Sequence, residues 1–193
     1  MNISAFKPET IVNEVFALCE KHENEGYIGE CVSQLEHMSQ AAALAEEEGF
    51  EDEVILAAFF HDIGRLCAFN NEAVRTDGFG NIDQEHLAAD FLRERGFSER
   101  LASLVESHVI AQRYLTYKYP EYYDQLSDTG KAELISQGGR MSREEAANFE
   151  LHPDADLFIR LRYWDDMAKE ASRQLPDIRH IKLLMMSHLY KNN

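Results

Sequence analysis

Five polar residues stand on otherwise apolar helical stretches: His37 in QLEHMSQAAALA, His61 and Asp62 in AAFFHDIGRL, His108 in LVESHVIAQRYL and Asp165 in IRLRYWDDMAK. Imidazole and carboxylate together, with little thiolate character, suit iron, manganese or zinc. A carboxylate has two oxygens and can bridge two ions. His61 and Asp62 are neighbours and so point about 100° apart on an ideal helix. Such a pair suits an ordinary helix end, or two ligands reaching one metal from the inner wall of a bundle. Each residue alone has a plain structural alternative. A lone histidine on a half-apolar helix is usually a hydrogen-bonded core residue, Asp62 can serve the helix end or pair with Arg65, and Asp165 can pair with Lys169 one turn on. Order and context lift the set: a His, then His-Asp at the end of an apolar helix, then a His, then an Asp, each on a different helix. His22, His152, His180 and His188 read as surface or structural.

The elements that must position these residues are all helical. Residues 8–21 alternate as an amphipathic helix, with Ile11, Val12, Val15, Phe16 and Leu18 against Glu9, Asn13 and Glu14. ENEGYIGE (23–30) is a glycine-broken loop. A helix over 31–48 ends at Gly49, a plausible C-cap, and another runs over 51–66 to near Gly64. Residues 68–84 are turn-rich and long for a connection, which hints at function. Helices over 85–95 and 98–117 are separated by Gly96 and Ser98. A short helix follows, capped by Ser127 or Asp128 and ended by Gly138–Gly139, and helices over 143–150, 154–172 and 177–191 complete an all-α reading. No strand pattern and no internal repeat is evident.

The totals narrow the classes. At 193 residues one domain, 1–193, is the default, and 45% hydrophobic with 10% aromatic residues reads as globular. A formal charge of −16 argues against nucleic-acid binding through phosphates. Cys19, Cys31 and Cys67 lack CxxC spacing, so zinc-ribbon and disulfide-scaffold readings fail and reduced, cytoplasmic cysteines packed in the core are expected. MNISAFKPET has no signal-peptide pattern, and no apolar stretch approaches the ~20 residues that span a bilayer, so no membrane is expected.

These residues carry a resemblance. The chain resembles the HD-domain superfamily of helical metal-dependent proteins. YIGECVSQLEHMSQAA, FFHDIGRLC, GFSERLASLVESHVIAQRYL, LSDTGKAELISQGGRM and IRLRYWDDMAK together resemble, more narrowly, the oxygenases that cleave 1-hydroxy-2-aminoethylphosphonate. That group belongs to the mixed-valent di-iron branch, which also contains myo-inositol oxygenase. The likeness runs from about Tyr27 to Lys169, and HVIAQRYL and SQGGRM are its specific segments. It implies an HD-type helical bundle, an Fe(II)/Fe(III) pair, and O2 as co-substrate. One iron is then held by His37, His61, Asp62 and Asp165. Asp62 bridges to a second iron, for which His108 is one ligand. His61 and Asp62 carry the catalysis. The substrate is a small phosphonate, and the assembly is a monomer or small homo-oligomer.

The sequence departs from that family twice. Gln84 falls where the second iron's other histidine should be, and His86 lies two residues on, about 200° around an ideal helix. Either the helix entry differs and His86 reaches inward, or the second iron has lost a nitrogen ligand; His86 is the ligand adopted here. Gln112 stands where the family carries a lysine facing the phosphonate. Arg65 and Arg162 are therefore expected to clamp the anion, since guanidinium can hold a phosphonate by two parallel hydrogen bonds. Arg65 alternatively satisfies carbonyls at a helix end. Gln112, Ser127 and Gln137 are neutral hydrogen-bond partners in this reading, and Tyr27 with Glu30 resembles a lid over the substrate amine, primary or trimethylated. The implied products are phosphate with glycine or glycine betaine. Two other classes remain: a one-metal HD phosphohydrolase, and a binding protein that senses a phosphonate without turnover.

Overall fold

The computed structural model describes residues 7–22, 32–70, 83–170 and 177–192, and among them every regular element is an α-helix. Helix α1 (Pro8–Lys21) opens on Pro8, whose missing N–H costs nothing in a first turn, and buries Ile11, Val12, Val15, Phe16 and Cys19. Helix α2 (Gln34–Glu47) starts at a reciprocal cap: the Glu36 N–H donates to Ser33 Oγ at 3.2 Å and the Ser33 N–H to Glu36 Oε2 at 2.6 Å. Its chain turns out at Gly49, at φ 79°, where a side chain would be strained.

Helix α3 (Asp52–Phe60) is buried without interruption from Val54 to Phe60. A helix apolar on every side has to be surrounded. Here α2, α6 (Glu99–Glu106), α11 (Ala155–Met167) and α12 (Ile178–Asn192) enclose it. Phe59, Phe60 and Leu56 are fully buried on it, each worth about 1.5–3 kcal/mol of burial.

Two long helices expected from the sequence are each broken in two at a candidate ligand. The 51–66 helix stops at Phe60, turns through His61 and Asp62, and resumes as α4 (Ile63–Asn70). The 98–117 helix becomes α6 and α7 (His108–Lys118), joined at Ser107, whose hydroxyl donates back to the Leu104 carbonyl at 2.6 Å. Helix α5 (Gln84–Glu94) packs against α4 so closely that a Cβ on Gly64 would lie 1.9 Å from the Gln84 carbonyl oxygen. Only glycine allows that approach.

The rest of the chain adds α8 (Pro120–Gln125), α9 (Asp128–Ser136) and α10 (Arg143–Glu150). Ser127 caps α9 and the left-handed Gly138 and Gly139 follow its end. Of the four histidines expected to be surface or structural, His188 is buried and accepts the Ser98 N–H, His22 is buried against Phe69, His152 is exposed and His180 is half-buried. Burial pushes the Cys19 and Cys67 thiols up to about 12, as suits packed, unreactive cysteines. No described helix is long and apolar enough to cross a membrane.

Candidate metal centre

Helix α2 contributes His37, the turn after α3 contributes His61 and Asp62, and α11 contributes Asp165. His37 Nε2 lies 2.9 Å from His61 Nε2 and 3.0 Å from Asp165 Oδ1. His61 Nε2 is 3.5 Å from the same oxygen, and Asp62 Oδ2 is 3.8 Å from each imidazole. Both histidines and Asp165 are buried and Asp62 is half-buried.

Proton accounting shows what this convergence is for. His37 Nδ1 sits 2.8 Å from the Ala168 carbonyl, and His61 Nδ1 sits 2.7 Å from the Ala58 carbonyl. A carbonyl only accepts, so each Nδ1 carries the proton and, in the neutral ring, each Nε2 presents a lone pair. Two imidazole lone pairs then face each other and a carboxylate oxygen, and Asp165 Oδ1 is buried with no hydrogen-bond donor. Such an arrangement repels itself unless a proton or a metal ion stands between the donors. Donors about 2.1 Å from one ion at right angles to each other lie roughly 3.0 Å apart, the spacing present here. Imidazoles anchored through Nδ1–H to a backbone carbonyl are also the usual way metal-binding histidines are oriented. The residues fit a metal ion.

The electrostatics agree. Burial opposes charge on His61, but Asp62 and Asp165 outweigh it and push the imidazole up to about 9. Burial likewise opposes ionisation of Asp165, yet Arg162 and the histidines hold its carboxyl well below the usual range. Asp62 is also held low, chiefly by His61 against burial. The pocket favours positive charge, whether proton or metal.

Beside this cluster lies a second group, differently equipped. His108, at the first position of α7, has its ring 5.6 Å from that of His61, and its Nε2 lies 3.5 Å from Asp165 Oδ2. Arg162 Nη1 is 2.7 Å from His108 Nε2 and 3.1 Å from Asp165 Oδ2. Its Nη2 donates to Asp166 at 2.9 Å and its Nε to the Tyr122 hydroxyl at 3.0 Å, which donates in turn to Asp166. Burial and the adjoining Arg162 push His108 down to about 4, so it is neutral. Asp165 therefore shows one oxygen to each group, whereas the Asp62 contacts all run through Oδ2 toward His37, His61 and Gln34.

Several expectations need correction. The structure does not bring His86 to the cluster: its side chain is 57% exposed and pairs with Glu106 at 3.0 Å and Asp90 at 3.4 Å. The cause is the helix entry, since Asp83 Oδ1 accepts the His86 N–H and fixes a register that turns His86 outward. Arg162 is not a free anion clamp, because two carboxylates, a phenol and His108 surround its guanidinium. Ser127 is exposed and its oxygen accepts from Gly130 as a helix cap, and Gln137 is exposed at the end of α9; the structure does not bring either to the cluster. Arg65 is half-buried on α4, one turn beyond His61, and Gln112 is buried one turn beyond His108. Gln84 is half-buried at the start of α5, its backbone against Gly64. Tyr27 and Glu30 lie outside the described residues.

Four participants were not expected. Gln34 donates to Asp62 Oδ2 at 3.0 Å and sits one turn before His37 on the same face of α2, a spacing that could have revealed it. Tyr122 and Asp166 hold Arg162, a link across 44 residues that local pattern does not carry. Glu85 is half-buried, and burial, reinforced by Asp83 and Asp62, pushes its carboxyl up to about 7.

A helical scaffold that gathers His, His-Asp and Asp from separate helices into one buried cluster defines a class of metal-binding proteins, the HD domains. The chain belongs to the HD-domain family, whose profile matches residues 34–135. It is 35% identical over 186 residues to the [1-hydroxy-2-(trimethylamino)ethyl]phosphonate dioxygenase (glycine-betaine-forming) of Leisingera caerulea, across 93% of this chain and 90% of that one. It is 33% identical over 180 residues to the hydroxymethylphosphonate dioxygenase of Gimesia maris, across 89% of this chain and 84% of that one. An uncharacterized protein of Acanthamoeba polyphaga mimivirus is 40% identical over 178 residues, across 92% of this chain and 81% of its own length.

Proposed function

We propose that this protein is an iron-dependent oxygenase that cleaves the carbon–phosphorus bond of a 1-hydroxyalkylphosphonate, giving phosphate and a carboxylate. The observation that carries the reading is the convergence of lone pairs at His37, His61 and Asp165, with Asp62 beside them. Its context is likeness, over most of the chain, to two dioxygenases named for phosphonates with a hydroxyl on the phosphorus-bearing carbon. The reaction balances with one O2: the C–P and one C–H bond break, carbon and phosphorus each gain an oxygen, and the acid and phosphate carry away every atom. Within the class we favour 1-hydroxy-2-aminoethylphosphonate or its trimethylammonio form, with glycine or glycine betaine as product, because a phenol and carboxylate at Tyr27 and Glu30 suit a cation.

Iron bound at this place supplies electron exchange with O2 and Lewis acidity toward the substrate oxygens. His37, His61, Asp62 and Asp165 would hold it. In the mixed-valent pair that the resemblance implies, a second iron would take His108. The chain's own contribution is orientation. Ala58 and Ala168 carbonyls fix the two imidazoles, Gln34 fixes Asp62, and Arg162 fixes Asp165. Half-buried Arg65 is the cation for the phosphonate, and Gln112 beyond His108 is a neutral partner.

A one-metal HD phosphohydrolase is the second reading, favoured by the outward turn of His86, which leaves only the first metal position with all its expected ligands. One experiment separates the two. Iron-loaded protein is given each hydroxyphosphonate under air and under nitrogen, and phosphate esters under nitrogen. Phosphate release matched one-for-one by O2 uptake is expected. Ester turnover under nitrogen, with no O2 uptake on any hydroxyphosphonate, overturns the oxygenase.

A further inference from the structure

The face of His108 that a second metal would use is already occupied by a cation of the chain itself. Arg162 Nη1 lies 2.7 Å from His108 Nε2 and 3.1 Å from Asp165 Oδ2. Those two atoms are the donors of the second group, themselves 3.5 Å apart. The guanidinium is fully held: Asp166 and Tyr122 take its other nitrogens, and the carboxylates beside it outweigh its burial and keep it charged. The other expected donor, a nitrogen from α5, is absent, because Gln84 stands in its place and His86 points to solvent. His108 Nδ1 is buried without a partner, so the ring has no alternative anchor to hold it against Arg162.

We infer that the guanidinium of Arg162 and a second metal ion compete for one place, so that the two metal positions fill in order: the first tightly, the second only in exchange for Arg162. Charge makes the exchange conditional. The three carboxylates in direct contact, Asp62, Asp165 and Asp166, are balanced by one divalent ion and one guanidinium. A second divalent ion adds two charges to a low-dielectric site, and a bound phosphonate dianion offsets them while offering the displaced guanidinium a bidentate partner. The substrate class proposed above is thereby also the ligand that completes the second position; the inference rests on that reading for the identity of the anion alone.

The test counts metal and needs no turnover. Mn(II) is titrated anaerobically into the full-length protein and free ion is followed by EPR. One tight site is expected, with a second weaker by at least about tenfold, the scale on which outer partners act on metal sites. Hydroxymethylphosphonate tightens the second site and leaves the first unchanged. Arg162→Gln narrows the gap between the sites in the absence of the phosphonate. Two equal sites in the unaltered protein overturn the inference, as does a folded Arg162→Gln variant with the gap intact. If that variant does not fold, 15N NMR of the arginine side chains in the unaltered protein decides. The Arg162 Nε signal should hold through the first equivalent of Zn(II) and shift with the second; a signal unmoved at two equivalents overturns the exchange. Absence of any tight metal would instead overturn the proposed function, so the two failures are distinguishable.

Discussion

The two halves of the centre are built from the same residue types and come out differently. In the first half, His37 and His61 give their protons to backbone carbonyls and turn bare nitrogens toward Asp165. In the second, His108 turns its Nε2 toward Arg162, and the histidine that should complete it faces solvent. The difference lies in the anchors. A histidine fixed by the main chain of a buried helix is committed to a ligand position before any ion arrives. A histidine fixed by a side-chain cation is committed only as long as that cation stays.

The largest effect should follow from breaking the first half. His61→Ala or Asp62→Ala removes a donor from a site in which several converge, and metal affinity should fall by more than the roughly 10–100-fold that outer partners command. Full iron occupancy by metal analysis in either variant would remove the distinction between the halves. Next comes the seam joining them. Gly64→Ala places a Cβ 1.9 Å from the Gln84 carbonyl, so α4 and α5 must separate. A loss of about 1–3 kcal/mol in denaturant unfolding is expected, and an unshifted midpoint would show that α5 is not held there.

Gln34→Ala tests the support of Asp62 and should weaken metal binding about tenfold with little change in fold; unchanged affinity in a calorimetric titration would mean the amide is incidental. Ser33→Ala deletes the cap that starts the helix carrying His37 and should cost about 1 kcal/mol by thermal melting. The smallest effect belongs to His86→Ala. Its exposed ion pairs contribute little, so metal content and activity should match the unaltered protein. A clear loss of the second metal would restore His86 to the site and erase the asymmetry.

What was legible in the sequence follows the same line. The starts at Ser98 and Ser127 were readable because these residues announce themselves by side-chain chemistry, whereas the helix expected from residue 31 begins only after the Ser33 cap; the first-half candidates were readable because each interrupts an apolar face. The breaks at His61–Asp62 and at Ser107 were not, since neither glycine nor proline marks them and the surrounding packing bends the chain. The outward turn of His86 was hidden for a related reason. Its direction depends on which residue caps α5, and Asp83 does so, starting the helix at Gln84, one residue earlier than expected. Arg162 was expected to clamp an anion, and its actual neighbours were hidden, because Asp166 lies one turn on in the chain but Tyr122 and His108 arrive only through tertiary packing.

The central claim is that His37, His61, Asp62 and Asp165 surround a metal ion. Anomalous diffraction at the iron edge, from crystals loaded anaerobically with Fe(II), tests it most directly. The account predicts a strong peak within bonding distance of His37 Nε2, His61 Nε2 and Asp165 Oδ1. Iron ordered elsewhere in the molecule, with those three atoms bare, would contradict it.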